Sequence, residues 1–135
     1  MRFKDALTKA GLPKPGRTTW CGTAIDGTPV FTIWRHEVRQ LNGRFFAWWD
    51  HAGERGADGE LSKRRKGQAK TFISLVAENI GRPCRAVIIN AKMDNDGRSV
   101  GAESAEYPHP KMAKVVFRFV ERDALQFLAE LFSED

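Results

Sequence analysis

The stretch GRFFAWWDH, residues 43–51, carries the pattern from which the fold is predicted. Its aromatic and apolar residues are typical of a β-strand, and the side chains of a strand point alternately to its two faces. Trp48 and Trp49 must therefore point in opposite directions. We expect Trp48 to lie in the core and Trp49 to belong to a second surface.

Two turn signals extend this stretch into a meander. Asn42-Gly43 precedes the strand directly and Asp26-Gly27 lies upstream, and both dipeptides favour a tight turn with positive φ. Alternating residues flank each turn. The sequence therefore predicts three antiparallel strands, over about 18–25, 28–40 and 44–51.

Helical spacing of apolar residues occurs in three segments. Residues 3–10 predict a short amphipathic helix. A second helix follows the charged loop at 52–61 and ends near Ile80, just ahead of a glycine and a proline. A third helix is predicted to begin at Asp123, and its apolar side holds Leu125, Leu128, Leu131 and Phe132.

Two further strands are predicted between the second and third helices, over 84–92 and 111–120, with a long polar loop at 93–110. The resulting order is α-β-β-β-α-β-β-α over a single domain of residues 1–135. We expect an α+β fold of two layers, in which a mostly antiparallel five-stranded sheet carries the helices on one face. The other face stays open or curls into a partial barrel.

Composition, charge and the length of apolar runs limit the classes of protein to which the chain can belong. The chain of 135 residues has 22 Lys and Arg against 17 Asp and Glu, a net charge of +5. Residues 121–135 hold five acids and one base, so residues 1–120 carry a net charge of +9. A basic body favours a polyanionic partner. No apolar run approaches the ~18 residues that cross a bilayer, so we expect a cytoplasmic protein without a membrane partner. No cofactor or metal site is predicted.

A Trp and His cluster is the first candidate site. In the predicted meander Trp34, His36, Trp49 and His51 share one face. Aromatic faces stack on nucleobases and imidazoles supply hydrogen-bond donors and acceptors, so these four residues are predicted to contact a base. The alternative is that the sheet curls into a barrel and the same residues form its interior.

Basic residues supply the predicted phosphate contacts. The run SKRRKGQAK, residues 62–70, contains no acid and stands at the start of the second predicted helix, where cations oppose the helix dipole unless an anion joins them. The alternative is a solvated basic loop. The full predicted phosphate-binding set is Arg17, Arg44, Lys63, Arg64, Arg65, Lys66, Lys70, Lys114 and Arg118.

The leading hypothesis is a nucleic-acid-binding module, with DNA and RNA equally open, acting as a bacterial or phage DNA-metabolism factor or as a reader of modified bases. Tyr107 and His109 are predicted either to join the site from a loop or to brace the entry of a strand. The first alternative is a protein-interaction or inhibitory module that docks through exposed Trp residues and the charged helices. The second is a metal-independent phosphodiester-cleaving enzyme that uses His36 and His51 as its catalytic pair.

Overall fold

The computed structural model of the chain describes residues 1–16, 19–50, 63–97 and 99–134. These residues form two α-helices and one mixed sheet of eight strands that does not close into a barrel. The helices are α1 (Phe3–Lys9) and α2 (Lys63–Glu78). The strands are β1 (Cys21–Thr23), β2 (Pro29–Trp34), β3 (Val38–Leu41), β4 (Arg44–Asp50), β5 (Cys84–Met93), β6 (Ser99–Glu106), β7 (Lys114–Glu121) and β8 (Gln126–Phe132).

The strands follow the order β1-β2-β5-β7-β8-β4-β3 across the sheet. β2 and β5 run parallel, and the other recorded pairs are antiparallel. One edge of β5 is shared, because Cys84 and Arg85 pair with β7 while the later residues of the strand pair with β6. The sheet is thus wider than the predicted five strands.

Helix α2 covers one face of the sheet. Its apolar residues recur at the helical period and lie in a buried cluster with residues of β2, β4, β7 and β8. The helix residues of this cluster are Ala69, Phe72, Ile73 and Val76. Gly81, at φ 77°, follows the end of the helix as the sequence predicts. We call this face the α2 side.

Helix α1 covers part of the opposite face, at the β1, β2, β5 and β6 end. Leu7 and its neighbours lie in a separate buried cluster, which we call the α1 cluster, with Val30, Val87 and Ile89. The side chains of these three strand residues alternate with those of the α2 side. The predicted placement of the helices on one face is therefore wrong. The sheet has a buried apolar cluster on each side, and α2 packs on one of them whereas α1 packs on the other.

The predicted strand over 28–40 is interrupted. Arg35–Glu37 form a short 3₁₀ turn that separates β2 from β3. β2 pairs with β1 and β5, whereas β3 pairs with β4 at the far end of the sheet. The two turn signals are nevertheless confirmed, since Gly27, Asn42 and Gly43 all have positive φ. The continuous three-stranded meander is wrong because the chain leaves the sheet at Arg35.

The predicted third helix is also wrong, because its segment forms strand β8. This strand fills the gap between β4 and β7 and pairs with both. Its apolar residues fit the helical and the strand period alike, and the pairing partners on both edges decide between them. Similarly, the polar segment 93–110, predicted as a loop, contains β6, which pairs with β5.

Trp48 and Trp49 point to opposite faces, as predicted, but their assignment is reversed. Trp49 pairs with Phe127 on the α2 side and is 6% exposed. Trp48 pairs with Leu128 on the other side and is 48% exposed. The reason is that α2 packs on the face to which Trp49 points, whereas α1 lies at the other end of the sheet and does not cover Trp48.

Candidate functional site

The four residues predicted to contact a base do not form one surface. Trp34 packs against the α1 cluster, and its ring centre lies 5.7 Å from that of the exposed His36. Trp49 lies on the α2 side, with its ring 5.9 Å from that of Phe72. His51 lies outside the described residues. Trp34 and Trp49 are separated because the turn at Arg35 sends β2 and β3 to opposite ends of the sheet.

The predicted phosphate contacts are divided between the two sides of the sheet. Arg44, Lys114 and Arg118 belong to strands and lie on the side away from α2. Lys66 and Lys70 are exposed on α2 itself. Arg17 lies outside the described residues, as do the side chains of Lys63, Arg64 and Arg65, whose backbone opens α2.

Tyr107 and His109 take structural positions at the end of β6. Tyr107 is buried in the α1 cluster. The imidazole Nδ1 of His109 accepts a hydrogen bond from the backbone N–H of Lys111 at 3.1 Å, and its Nε2 lies 3.7 Å from a carboxylate oxygen of Glu106. Burial lowers the pKa of His109. These contacts lie at the end of β6 and in the segment between β6 and β7.

An aromatic surface that the sequence did not predict lies on the uncovered part of the sheet. It consists of outward side chains of β4, β8 and β7, which alternate with the core residues of the α2 side. Trp48 and Phe119 are 48% and 46% exposed, and Phe132 is 37% exposed. We call this surface the open face, and its members are Phe46, Trp48, Phe119, Leu128 and Phe132, together with Arg44, Arg118 and Glu130.

Phe119 reaches the open face because of a β-bulge. Simple alternation from Phe117 would place Phe119 in the core beside it. The register of β7 against β8 shifts between Phe117 and Phe119, so that Phe117 pairs with Ala129 and Phe119 pairs with Leu128. The extra residue, Arg118, turns the following side chain to the other face.

Trp48 and Phe119 approach each other across the sheet. Both residues pair with Leu128, which lies on the strand between them. Their ring centres are 6.2 Å apart and their planes are inclined by 16°, which is within the range of offset-stacked aromatic pairs. The two rings thus form one half-exposed aromatic pair on the open face, which we call the platform.

One buried carboxylate organises the charge of the open face. Glu130 is 1% exposed and receives two hydrogen bonds from Arg44, at 2.6 Å from Nε and 2.7 Å from Nη2. Arg118 also donates to Glu130, from Nη2 at 3.1 Å and from Nε at 3.3 Å. Two cations are therefore held by a single anion, which leaves a local excess of positive charge.

The same two guanidinium groups lie over aromatic rings. Arg44 is 5.1 Å from the ring centre of Phe46, and Arg118 is 5.9 Å from that of Phe132, both within the range of cation–π contacts. Within the described part of the chain, neither guanidinium uses its Nη1 in a recorded hydrogen bond. Each arginine is thus fixed in position while part of its donor edge is available to an anion.

The pKa of Glu130 is lowered, and the hydrogen bonds from Arg44 are the largest cause. A carboxylate whose pKa is lower in the folded state stabilises the fold above its ordinary pKa of 4.5, and this stabilisation is lost as the pH falls through the folded-state value. We therefore expect the free energy of unfolding to decrease as the pH is lowered below about 4.5.

Urea unfolding of the wild type and of Glu130→Gln at a series of pH values measures this contribution. The variant is expected to show a weaker pH dependence in the acidic range, because its amide does not titrate. Glu103→Gln, at an exposed position on β6, is the control and should follow the wild type. Identical pH profiles for the wild type and Glu130→Gln would contradict the assigned role of this carboxylate.

Within the described ranges, no helix is long and apolar enough to cross a membrane. Comparison of the chain with protein-family models, curated proteins and solved structures gives no match.

Proposed function

We propose that this protein binds nucleic acid through the open face. The observation that carries the proposal is the half-exposed platform of Trp48 and Phe119, next to two arginines held on one buried carboxylate. Stacking of a base on an aromatic side chain contributes about 1–3 kcal/mol. Guanidinium groups that are already fixed lose little conformational freedom when they bind a phosphate.

The charge of the molecule supports the same partner. The chain carries a net charge of +5. Around Glu130 the open face has two guanidinium groups for one carboxylate, whereas Asp50 and Glu121 lie on the same side of the sheet beyond the platform, since both pair with Gln126. Lys114 lies on the same side, since it pairs with Phe132. A polyanion would gain both from the general attraction and from the hydrogen-bond donors at the aromatic surface.

Replacement of Trp48 by alanine tests the proposal. The variant removes half of the platform and is expected to weaken binding to labelled DNA or RNA by about 5- to 150-fold, the range that corresponds to one lost stacking contact. Fluorescence anisotropy measures the dissociation constant. Ile25→Ala is a matched control, because Ile25 is an exposed apolar residue in the turn between β1 and β2, away from the open face.

Circular dichroism and thermal unfolding establish that both variants are folded. If Trp48→Ala binds as tightly as the wild type, the open face is not the binding site. If the wild type binds no nucleic acid at low salt, the proposed function itself fails.

A second candidate is a protein-docking surface at the same place. The observation that favours it is the concentration of large exposed apolar side chains, because aromatic residues and arginine are common at the centres of protein interfaces. The predicted docking through a C-terminal helix is set aside, since that segment forms β8. In that case neither the wild type nor Trp48→Ala would bind nucleic acid. Trp48→Ala would instead weaken binding to a protein partner.

A further inference from the structure

We infer, on the basis of the proposed function, that the open face takes single-stranded nucleic acid. We further infer that bases lie on its aromatic groups and that the sugar-phosphate backbone passes the two arginines. The inference names the class of nucleic acid, which the sequence leaves open. It rests on the arrangement of aromatic and charged rows across β4, β8 and β7.

The aromatic platform requires a base whose flat face is accessible. Trp48 and Phe119 are carried by strands of the sheet and not by a loop, and they are 48% and 46% exposed, so part of each side chain is accessible at the sheet surface. In a duplex the faces of the bases are covered by their neighbours, and only their edges and the phosphates are accessible. A sheet surface of this kind can therefore stack on unpaired bases but not on those of an intact duplex.

The charged row lies next to the platform along the strands. Glu130 is two residues from Leu128 on β8, which corresponds to about 7 Å along a strand. Phe132 lies a further two residues along and is covered in part by Arg118. The order on the open face is thus an aromatic pair, then the two arginines on Glu130, then a second aromatic ring.

Bases and phosphates alternate along a nucleic-acid strand, and in a single strand the unpaired bases can turn away from the phosphates. The order of aromatic and charged groups on the open face matches this alternation. A base on Trp48 and Phe119 and another base near Phe132 would place the intervening backbone over Arg44 and Arg118. The Nη1 groups of both arginines are available there within the described part of the chain. DNA and RNA offer the same stacking faces and phosphates, so both are included.

A comparison of the affinities for single-stranded and duplex probes tests the inference. Short labelled single strands of DNA and of RNA, and duplexes of the same sequences, are titrated with the intact protein at about 50 mM and 200 mM salt. Single strands are expected to bind at least about tenfold more tightly than the duplexes. Binding should weaken at the higher salt concentration because phosphate contacts release counterions.

Intrinsic fluorescence locates the base. Trp48→Phe keeps an aromatic ring and should retain binding, but it should lose the quenching of tryptophan emission that single strands cause in the wild type. Trp34→Phe, at a position packed against the α1 cluster, is the matched control and should retain the quenching. Phe119→Leu is a second variant that reduces the platform without removing a tryptophan, and it should weaken single-strand binding.

The outcomes separate the inference from the proposed function. Equal or tighter binding of the duplexes would overturn the single-strand inference while nucleic-acid binding remained. Single-strand binding that is insensitive to Phe119→Leu, with quenching unchanged in Trp48→Phe, would overturn the placement of bases on this platform. Absence of binding to all four probes would overturn the proposed function as well.

Discussion

Replacement of Trp49 by alanine is expected to lower the free energy of unfolding by about 3–5 kcal/mol. The indole is 6% exposed and lies in the buried cluster of the α2 side. The centre of its ring is 6.3, 5.9 and 5.6 Å from those of Trp20, Phe72 and Phe127. Truncation would remove this apolar burial and leave a cavity between α2 and the sheet. Urea denaturation followed by circular dichroism measures the loss.

Trp48→Ala is the matched control, because it removes the same side chain from the neighbouring position. Its ring is half-exposed, so the expected change is much smaller, of the order of 1 kcal/mol or less. The pair of variants therefore distinguishes the core from the open face. If Trp48→Ala were the more destabilising of the two, the observed orientation of β4 would be contradicted.

Replacement of Leu7 by alanine is expected to cost about 2–5 kcal/mol of unfolding free energy. Helix α1 has only seven residues, and a helix of this length is not stable in water without tertiary packing. Leu7 is fully buried and lies in the cluster with Val30, Val87 and Ile89. Its truncation would therefore weaken the attachment of α1 to the sheet as well as open a cavity.

Urea unfolding and hydrogen exchange of the α1 amides together measure this effect. Lys4→Ala, at an exposed position of the same helix, is the control for helix propensity and should change stability little. Exchange of the α1 amides should accelerate in Leu7→Ala more than exchange in α2. A loss no larger than that of Lys4→Ala would mean that α1 does not depend on this contact.

The local elements were predictable from the sequence because their causes lie close together in the chain. The turns at Gly27 and at Asn42-Gly43 need positive φ, which these residue types adopt readily. Helix α2 is long enough for its apolar period to be unambiguous, and its end is marked by Gly81. The opposite orientation of Trp48 and Trp49 likewise follows from the geometry of a strand.

The candidate site was less predictable because its residues belong to three strands with distant positions in the chain. Glu130 lies in a segment whose spacing also fits a helix, and its partner Arg44 is 86 residues away. Phe119 follows a bulge that the alternation of KVVFRFV does not indicate. The one available signal was the aromatic content of β4, whose exposed tryptophan is Trp48 and not the predicted Trp49.

The sequence by itself determined where the turns lie, that α2 is a helix, and that a strand at 44–50 has two different faces. Only the tertiary structure decided that β8 is a strand, that α1 and α2 lie on opposite sides, and that Trp48 remains exposed. The physical reason is that backbone preferences act between neighbouring residues, whereas the choice of strand partners and of the covered face depends on contacts between distant segments.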